Sequence, residues 1–250
     1  MQEFIYYNPE GLDFPISEEI LVTSDINDTK EKRELFQEDY YKGLELIKKL
    51  DTTEVEYINN ASIWSINKCE IFYSKENVSR KINTKKIIIA TGAMERPFPI
   101  EGWTLPGVMG ATAAQIMLKE SSIIKDNAVF VGTGPLFYYV ISQYIDAGAK
   151  IKAIIDTTPA KNYIKSLKYL PKALLKVGYL IKGLGFLYKF KKHKIKMYKF
   201  ARDFKFEGDE SFFNGDKTLK RITFKNGSFV ETETAFIHNG LAPNINLQLQ

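Results

Sequence analysis

The hydrophobic pattern combines short alternating segments with a few continuous apolar runs. Ile87–Ile89 is a continuous β-branched run that ends in a Thr-Gly turn, and it predicts a strand buried on both faces of a doubly wound sheet. The segments between residues 55 and 82 alternate instead, and turn-forming pairs separate them at Asn59-Asn60, Asn67-Lys68 and Glu76-Asn77. They predict a small antiparallel meander that leads into the Ile87 strand.

Helical spacing is found in three other stretches. Residues 39–50 place apolar side chains on one face opposite lysines, and residues 111–120 are rich in strong helix formers. Residues 171–188 carry leucines and tyrosines at helical spacing but also three glycines. We expect a helix in each stretch, with the third weakened by its glycines.

A second unit has the order expected for half of a nucleotide-binding domain. Ala128–Val131 predicts a short buried strand, and residues 136–147 predict a helix. Residues 149–155 predict the next strand, which Asp156 closes. Together they form a β-α-β unit of suitable length.

Alternating segments then return. Four of them predict a second meander: residues 194–200, 204–206, 219–224 and 229–232. Asn226-Gly227 supplies a hairpin turn. The meander leads into an apolar strand at residues 234–237, which ends in His-Asn-Gly240.

The two halves therefore repeat one plan of meander, apolar strand and glycine turn. Gly132 precedes Gly240 by 108 residues in the second half. Applied to Gly92, that spacing places an equivalent glycine loop before Met1. We therefore expect the chain to lack the start of its first domain and to stop shortly after the second domain closes.

Charge adds one local feature. The net charge is +5, yet residues 161–199 contain twelve lysines, and no acid lies between Asp156 and Asp203. Without those lysines the remaining 23 basic and 30 acidic residues would give −7. Such a stretch is most often a solvated face; docking to an acidic partner protein or peripheral binding to an anionic membrane are the alternatives. Nucleic acid is disfavoured because interleaved recognition motifs are missing.

The small numbers of cysteines and histidines limit the redox and metal sites that the chain could form. Cys69 is the sole cysteine, so the chain has no CxxC redox pair and no thiolate metal cluster, and a reducing, cytoplasmic setting fits. We expect this thiol to be buried and inert. His193 and His238 are the only histidines, so we predict no metal site and give His238 a structural role.

The glycine loop at Gly132 has a mechanism for binding phosphate. Gly132 is expected to permit a tight turn, and Gly134 to let a pyrophosphate approach the backbone at a helix N-terminus. Pro135 suits the first helical turn. Phe137 replaces the third glycine of the pattern and should loosen the packing of helix on strand.

The ends of two predicted strands suggest further ligand contacts. Asp156 could hold ribose hydroxyls, which favours NAD or adenosine over NADP, or it could simply be a polar residue that closes a strand. Thr91 and Gly92 lie at a carboxyl end where ligands bind in open α/β sheets, although an ordinary turn explains them equally well. Glu95 and Arg96 are adjacent and are expected to form a local ion pair that holds the loop; a role against flavin is the alternative.

One stretch resembles a known flavoprotein family. The run ATGAMERPFPIEGWTLPGVM, residues 90–109, is followed by Ala-Ala-Gln, and VGTGPL at 131–136 and GLAPN at 240–244 come later. These motifs are similar to those of a family of FAD/NAD(P)-binding oxidoreductases. Its members include the A-type component of opine oxidase, the alpha subunits of proline and hydroxyproline dehydrogenases, and the B-type component of hydrogen cyanide synthase.

The resemblance implies an α/β fold with two dinucleotide-binding domains of the glutathione-reductase type, each with a meander. Residues 1–122 would be a partial FAD-binding domain without its N-terminal βαβ start. Residues 123–245 would be an NAD(P)-like domain, and residues 246–250 would begin the return to the first. The family's first glycine loop and its C-terminal FAD-closing motif have no match here.

The resemblance also implies the cofactor contacts. FAD would contact Thr91, Gly92, Ala93 and Gly240. NAD(P), or ATP as in some relatives, would bind in the second domain. Its predicted contacts are Gly132, Gly134, Pro135 and Asp156.

The implied function is that of an alpha subunit in an amino-acid, imino-acid or opine dehydrogenase complex. Electrons would pass from substrate through FAD, and a partner flavoprotein of the beta type would oxidise the substrate, so no catalytic residue is assigned to this chain. A stand-alone NAD(P)H-dependent flavoprotein reductase and a nucleotide-binding docking subunit without activity are the alternatives.

Overall fold

A computed structural model describes residues 4–5, 48–49, 55–121, 123–210 and 217–244. The strands are β1 (Phe4–Ile5), β2 (Tyr57–Ile58), β3 (Ser62–Asn67), β4 (Glu70–Lys75), β5 (Val78–Asn83), β6 (Ala93–Glu95), β7 (Val108–Gly110), β8 (Ala128–Gly132), β9 (Ile151–Asp156), β10 (Lys196–Tyr198), β11 (Phe204–Glu210), β12 (Lys217–Phe224), β13 (Phe229–Glu231), β14 (Ala235–His238) and β15 (Leu241–Pro243). The helices are α1 (Ala111–Ser121), α2 (Pro135–Asp146), α3 (Ala160–Leu167), α4 (Leu170–Leu174) and α5 (Val177–Lys192).

The chain forms two compact units. One comprises Met1–Met94 with Ala242–Gln250, and the other comprises Glu95–Leu241. The helix predicted over residues 39–50 lies outside the described residues except for 48–49, which are helical and exposed. No helix among the described residues has the length and apolar character needed to cross a bilayer.

The first unit contains the predicted meander. Strands β3, β4 and β5 pair antiparallel in that order, and one apolar face is buried. Its core is Ala61, Ile63, Ile71 and Tyr73. Alternation therefore predicted these three strands correctly.

Two expectations for this unit are wrong. Residues 87–89 form no strand, and Ile88 is 80% exposed, because β-branched propensity yields a strand only where a neighbouring backbone completes the ladder, and none among the described residues does. Cys69 is exposed rather than buried, since it occupies the turn between β3 and β4.

The second unit is organised by a parallel sheet of five strands in the order β10-β9-β8-β14-β7. Every residue of β8 and of β14 is buried, as expected for central parallel strands. The chain runs from β8 through α2 to β9, so the predicted β-α-β unit is confirmed. Helix α1 also lies where helix formers predicted it.

Aromatic side chains hold α2 on this sheet. Tyr144 of α2 meets Phe130 of β8 and Phe236 of β14 edge-on at 5.4 and 5.6 Å between ring centroids. All three side chains are fully buried. Such pairs contribute about 0.5–1.5 kcal/mol each beyond area burial, which fixes α2 against the two central strands.

The second meander forms, with one correction. Strands β11, β12 and β13 pair antiparallel, and Gly227 (φ +80°) lies in the predicted hairpin turn. The segment predicted as its first strand, Lys196–Tyr198, instead pairs parallel with β9. An alternating pattern predicts a strand but does not show which strand it pairs with. Here the long helical connection after β9 returns the chain to the parallel sheet.

The lysine-rich stretch differs from the single helix predicted over 171–188. It forms α3, α4 and α5, with a break at Leu175-Lys176. Lys176 has φ −125° and ψ +50°, which is outside the helical region. The glycines do not end α5, because helix interiors tolerate glycine at a cost of about 1 kcal/mol each.

Candidate functional site

Three residues meet at the carboxyl edge of the parallel sheet in the second unit. Gly132 ends β8 and stands opposite Asp156 of β9 on one side and His238 of β14 on the other. Ligands bind outside the carboxyl ends of the strands in open α/β sheets. The sheet thus brings together the predicted Gly132 and Asp156 with a histidine.

Gly132 has a different role from the one predicted. A Cβ at this position would lie 2.3 Å from the carbonyl oxygen of His238. The residue with the left-handed conformation is Gly134, at φ +95°. Gly132 therefore lets β8 and β14 pack closely, and Gly134 makes the turn.

Gly134 and Pro135 open helix α2. Gly134 is the N-cap residue, and Pro135 is the first helical residue, as predicted. No atom lies within 4 Å of the position where a Gly134 Cβ would stand, and the first turn of α2 carries no acid. An anion could therefore approach the free N–H groups at this terminus.

Phe137 occupies the position of the third glycine and belongs to the core. Its side chain is fully buried, and its ring is parallel to the His238 imidazole, with 6.4 Å between centroids. The bulky side chain is accommodated between the helix and the strand ends rather than exposed.

The carboxylate of Asp156 is enclosed by donors. It accepts hydrogen bonds from the hydroxyls of Tyr138 (2.8 Å) and Tyr163 (3.0 Å) and from the backbone N–H of Thr158 (2.8 Å). The residue is fully buried. Burial and the adjacent carboxylate raise the pKa of Tyr138 far above its ordinary value, so this phenol remains a donor.

This arrangement limits the access of a ribose to the Asp156 carboxylate. Tyr138 lies on α2, whereas Tyr163 lies on α3 and is 45% exposed. A ribose hydroxyl would reach the carboxylate only after the Tyr163 side chain moved. In the structure Asp156 therefore acts as a polar residue that anchors two tyrosines.

A hydrogen-bonded pair of a carboxylate and an imidazole adjoins the same edge. Nδ1 of His238 lies 2.5 Å from Oε1 of Glu95, and Oε2 of Glu95 accepts the backbone N–H of Thr112 at 3.0 Å. Burial raises the pKa of Glu95, but these hydrogen bonds outweigh burial and leave the pKa below its ordinary value. The expected pairing of Glu95 with Arg96 is absent, because Glu95 points toward His238 instead.

Sequence patterns did not reveal this pair. Glu95 ends β6, just before the proline-rich segment, and His238 ends β14 143 residues later. Only the parallel pairing of β14 beside β7 and β8 brings them together. The one sequence signal for the pair was that a polar residue, His238, ends an otherwise apolar strand.

The first unit joins Thr91 and Gly92 to Asn244. Thr91 Oγ1 donates to the Asn244 carbonyl (2.5 Å), Asn244 Nδ2 donates to the Thr91 carbonyl (3.0 Å), and Asn244 N–H donates to the Gly92 carbonyl (3.0 Å). Gly92 has φ +69° and open space at its Cβ position. Ala93, the next residue, starts β6 and is exposed.

Asn244 carries a buried acceptor without a partner. Its Oδ1 has no hydrogen-bond partner, and such an atom costs about 1–3 kcal/mol unless a ligand or water satisfies it. It adjoins the turn predicted to contact FAD, so the residues present fit a ligand that donates a hydrogen bond there. Asn244 was not among the predicted contacts.

Gly240, the remaining predicted contact, follows β14. It has φ +92° and no atom within 4 Å of a Cβ at that position. Its carbonyl accepts the N–H of Arg96 at 2.9 Å. The turn therefore requires glycine for its conformation and leaves one side of it open.

Known proteins share this architecture. Residues 14–250 match the pyridine nucleotide-disulphide oxidoreductase family. The chain belongs to that family. FAD and NAD(P), the predicted cofactors, are those of this family of oxidoreductases, and the predicted class of FAD-dependent oxidoreductase is confirmed at the family level.

Individual relatives agree with the family. The chain is 30% identical to the A-type component of opine oxidase from Agrobacterium tumefaciens over 227 residues, which cover 87% of this chain and 44% of that protein. It is 31% identical to the HcnB component of hydrogen cyanide synthase from Pseudomonas protegens over 125 residues, 49% of this chain and 26% of that protein. The matched part of the chain thus covers less than half the length of each of these two relatives.

A solved structure supports the fold alone. A ferredoxin reductase from Rhodopseudomonas palustris superimposes with a TM-score of 0.51 at 15% identity, covering 81% of this chain and 45% of that chain. The α/β class with a parallel sheet is therefore confirmed, and the boundaries of the two dinucleotide-binding domains stay a prediction.

Proposed function

We propose that this chain is part of an alpha-type subunit of a flavin-dependent dehydrogenase complex that oxidises an amino acid, imino acid or opine. The observation that carries the proposal is the similarity to the A-type component of opine oxidase over 87% of the chain at 30% identity. Relatives named as subunits also support a partner, which we expect to be a substrate-oxidising flavoprotein of the beta type.

The first unit, Met1–Met94 with Ala242–Gln250, would contribute to FAD binding. Thr91, Gly92 and Ala93 remain the proposed contacts of this unit, and Asn244 joins them. Gly240, the fourth predicted contact, belongs to the second unit. When bound, FAD supplies reversible two-electron transfer. The protein's part would be to hold the flavin: Gly92 leaves room beside the chain, and the Asn244 amide offers its unpartnered acceptor.

The second unit, Glu95–Leu241, would hold the second nucleotide by its phosphates. The N-terminus of α2 at Gly134 and Pro135 is open and free of acids. Asp156 is enclosed by two tyrosines, so it would contribute to ribose binding only after Tyr163 moved. NAD(P) and ATP both carry the required phosphates.

Two alternatives have support. A stand-alone NAD(P)H-dependent reductase is favoured by the family, which pairs a pyridine nucleotide with oxidoreductase chemistry. A docking subunit without activity is favoured by the enclosed Asp156 and by the lack of an assigned catalytic residue in the sequence.

Three measurements on the purified protein separate these functions. Flavin absorbance after purification with added FAD is expected for the dehydrogenase and the reductase, and its absence favours the docking subunit. Anaerobic bleaching by NADH or NADPH without a partner favours the reductase. Bleaching by proline, hydroxyproline or an opine only after reconstitution with a beta-type flavoprotein supports the dehydrogenase, and failure with every substrate of these classes contradicts it.

A further inference from the structure

The helices after β9 present an unusual surface, here called the lysine face and defined as residues 160–188. Exposed large hydrophobic side chains are concentrated on it: twelve of the 22 in the described residues lie there. They are Tyr163, Ile164, Leu167, Tyr169, Leu174, Leu175, Val177, Tyr179, Ile181, Leu184, Leu187 and Tyr188. A concentration of exposed apolar side chains on this scale indicates an interaction site.

Positive charge is interleaved with these side chains. Of the twelve lysines in residues 161–199, six lie on this face; the stretch has no arginine, and residues 157–202 contain no acid. The lysines are exposed except Lys189, which pairs with Asp146 at 2.8 Å. The face is therefore apolar and cationic at once, with no internal counter-charge.

The face is attached to the rest of the unit through Tyr163 of α3, whose hydroxyl donates to Asp156, and through the end of α5. Phe190 is the one buried residue of that helix, and Lys189 donates to Ser142 at 2.7 Å and to Asp146. Helix α3 has no buried residue. The apolar side chains of these helices thus remain available, because the fold itself does not cover them.

We propose that the lysine face binds the surface of an anionic phospholipid bilayer, with the helices lying in the interface. Its composition favours lipid over a protein partner. Protein interfaces are depleted in lysine and enriched in arginine, whereas this face has lysines alone. Lysine, tyrosine and leucine together are typical of interfacial helices, which bury apolar side chains while ammonium groups reach the headgroups.

The break between α4 and α5 is the part of the lysine face where the proposed lipid contact is best defined. A shallow cavity of about 430 Å³ is lined there by Leu175, Val177 and Tyr179 together with Lys176 and Lys182. Leu175 is 82% exposed. The two lysines offer ammonium groups to lipid phosphates, and Leu175 offers an exposed apolar side chain to the acyl region.

Vesicle sedimentation tests the proposal on the full chain. Sucrose-loaded vesicles of phosphatidylcholine are compared with vesicles of phosphatidylcholine and phosphatidylglycerol at low and high salt. We expect binding to the anionic vesicles alone, weakened by salt. Each lysine removed should weaken binding about fivefold, so Lys165→Gln with Lys172→Gln should weaken it about 25-fold. Lys85→Gln with Lys86→Gln, exposed lysines elsewhere, is the matched control.

An apolar pair of variants completes the test. Leu175→Gln should weaken binding about tenfold or more by removing an inserted side chain, whereas Val78→Gln, exposed on β5, should leave it unchanged. Absence of binding by a chain that unfolds cooperatively overturns the proposal. Equal losses in the control variants also overturn it. Light scattering that shows a dimer dissociated by Leu175→Gln, without vesicle binding, assigns the face to a second copy instead.

Discussion

Glu95 and His238 are joined through Oε1 and Nδ1 at 2.5 Å, although 143 residues separate them in the chain. The pair lies at the carboxyl edge of the parallel sheet. The N–H of Thr112, in the first turn of α1, donates to the other oxygen of Glu95, where the helix dipole also favours negative charge. The pair therefore fixes the proline-rich loop, the start of α1 and the end of β14 to one another.

Glu95→Gln should destabilise the protein by about 1–3 kcal/mol at pH 7, because a buried imidazole loses its charged partner. The folded-state pKa of Glu95 lies below its ordinary value. Its stabilisation is therefore complete above the unfolded-state pKa and disappears as the pH falls through the folded-state pKa.

Urea unfolding at a series of pH values checks this prediction. The difference between wild type and Glu95→Gln should be largest at neutral pH and should shrink below about pH 4. Glu231→Gln, an exposed acid on β13, is the control and should have little effect. A difference that stays constant down to pH 3 would contradict a charged Glu95.

Replacing tyrosine by phenylalanine should change the free energy of unfolding in opposite directions at two positions of α2. Tyr144 is fully buried, and its hydroxyl has no hydrogen-bond partner; burial raises its pKa to about 12. Tyr144→Phe should leave the free energy of unfolding unchanged or raise it by about 1 kcal/mol, because an unsatisfied polar group is removed.

Tyr138→Phe removes a donor to the buried Asp156 carboxylate and should cost about 1.5–3 kcal/mol. Denaturant unfolding of both variants at pH 7 provides the comparison. Equal destabilisation by the two would show that aromatic packing, rather than hydrogen bonding to Asp156, determines the loss.

Glycines of this chain differ in what an added methyl group would meet. At Gly132 the Cβ would lie 2.3 Å from the His238 carbonyl oxygen, whereas Gly183 in α5 has no atom within 4 Å. Gly132→Ala should therefore cost about 1–3 kcal/mol by forcing β8 and β14 apart. Gly183→Ala should add about 0.5–1 kcal/mol of stability, because alanine is the better helix former. Thermal unfolding distinguishes the two; a neutral Gly132→Ala would contradict the close strand approach.

The elements that were predictable from sequence are those whose pattern is local. The alternating segments gave both meanders, and the apolar strand before Gly132-Thr-Gly134 gave the β-α-β unit. The assignment of 87–89 as a strand was wrong, because strand formation depends on a neighbouring backbone, and the sequence around that run does not specify one. Cys69 was placed inside the protein because its residue type is usually buried, whereas the turn that it occupies keeps it exposed.

Side-chain partners were harder to predict than elements. The Glu95 pairing depends on a strand order that periodicity does not encode, so adjacency in sequence suggested Arg96 instead. Asp156 was correctly placed at a strand end. Its two tyrosine donors, however, come from α2 and from α3, a helix that the pattern did not indicate.

Asn244 provides the sharpest test of the proposed flavin site. Its Oδ1 is buried without a partner, while its Nδ2 and backbone atoms are bonded to Thr91 and Gly92. Asn244→Ala removes the free acceptor together with one of these bonds. Thr91→Val removes the Thr91 hydroxyl bond and leaves the acceptor in place.

If FAD donates a hydrogen bond to Oδ1, Asn244→Ala should weaken FAD binding up to about tenfold more than Thr91→Val. Titration of the apoprotein with FAD, followed by quenching of flavin fluorescence, measures both dissociation constants. Equal weakening would instead mean that Asn244 acts only by holding the Thr91-Gly92 turn.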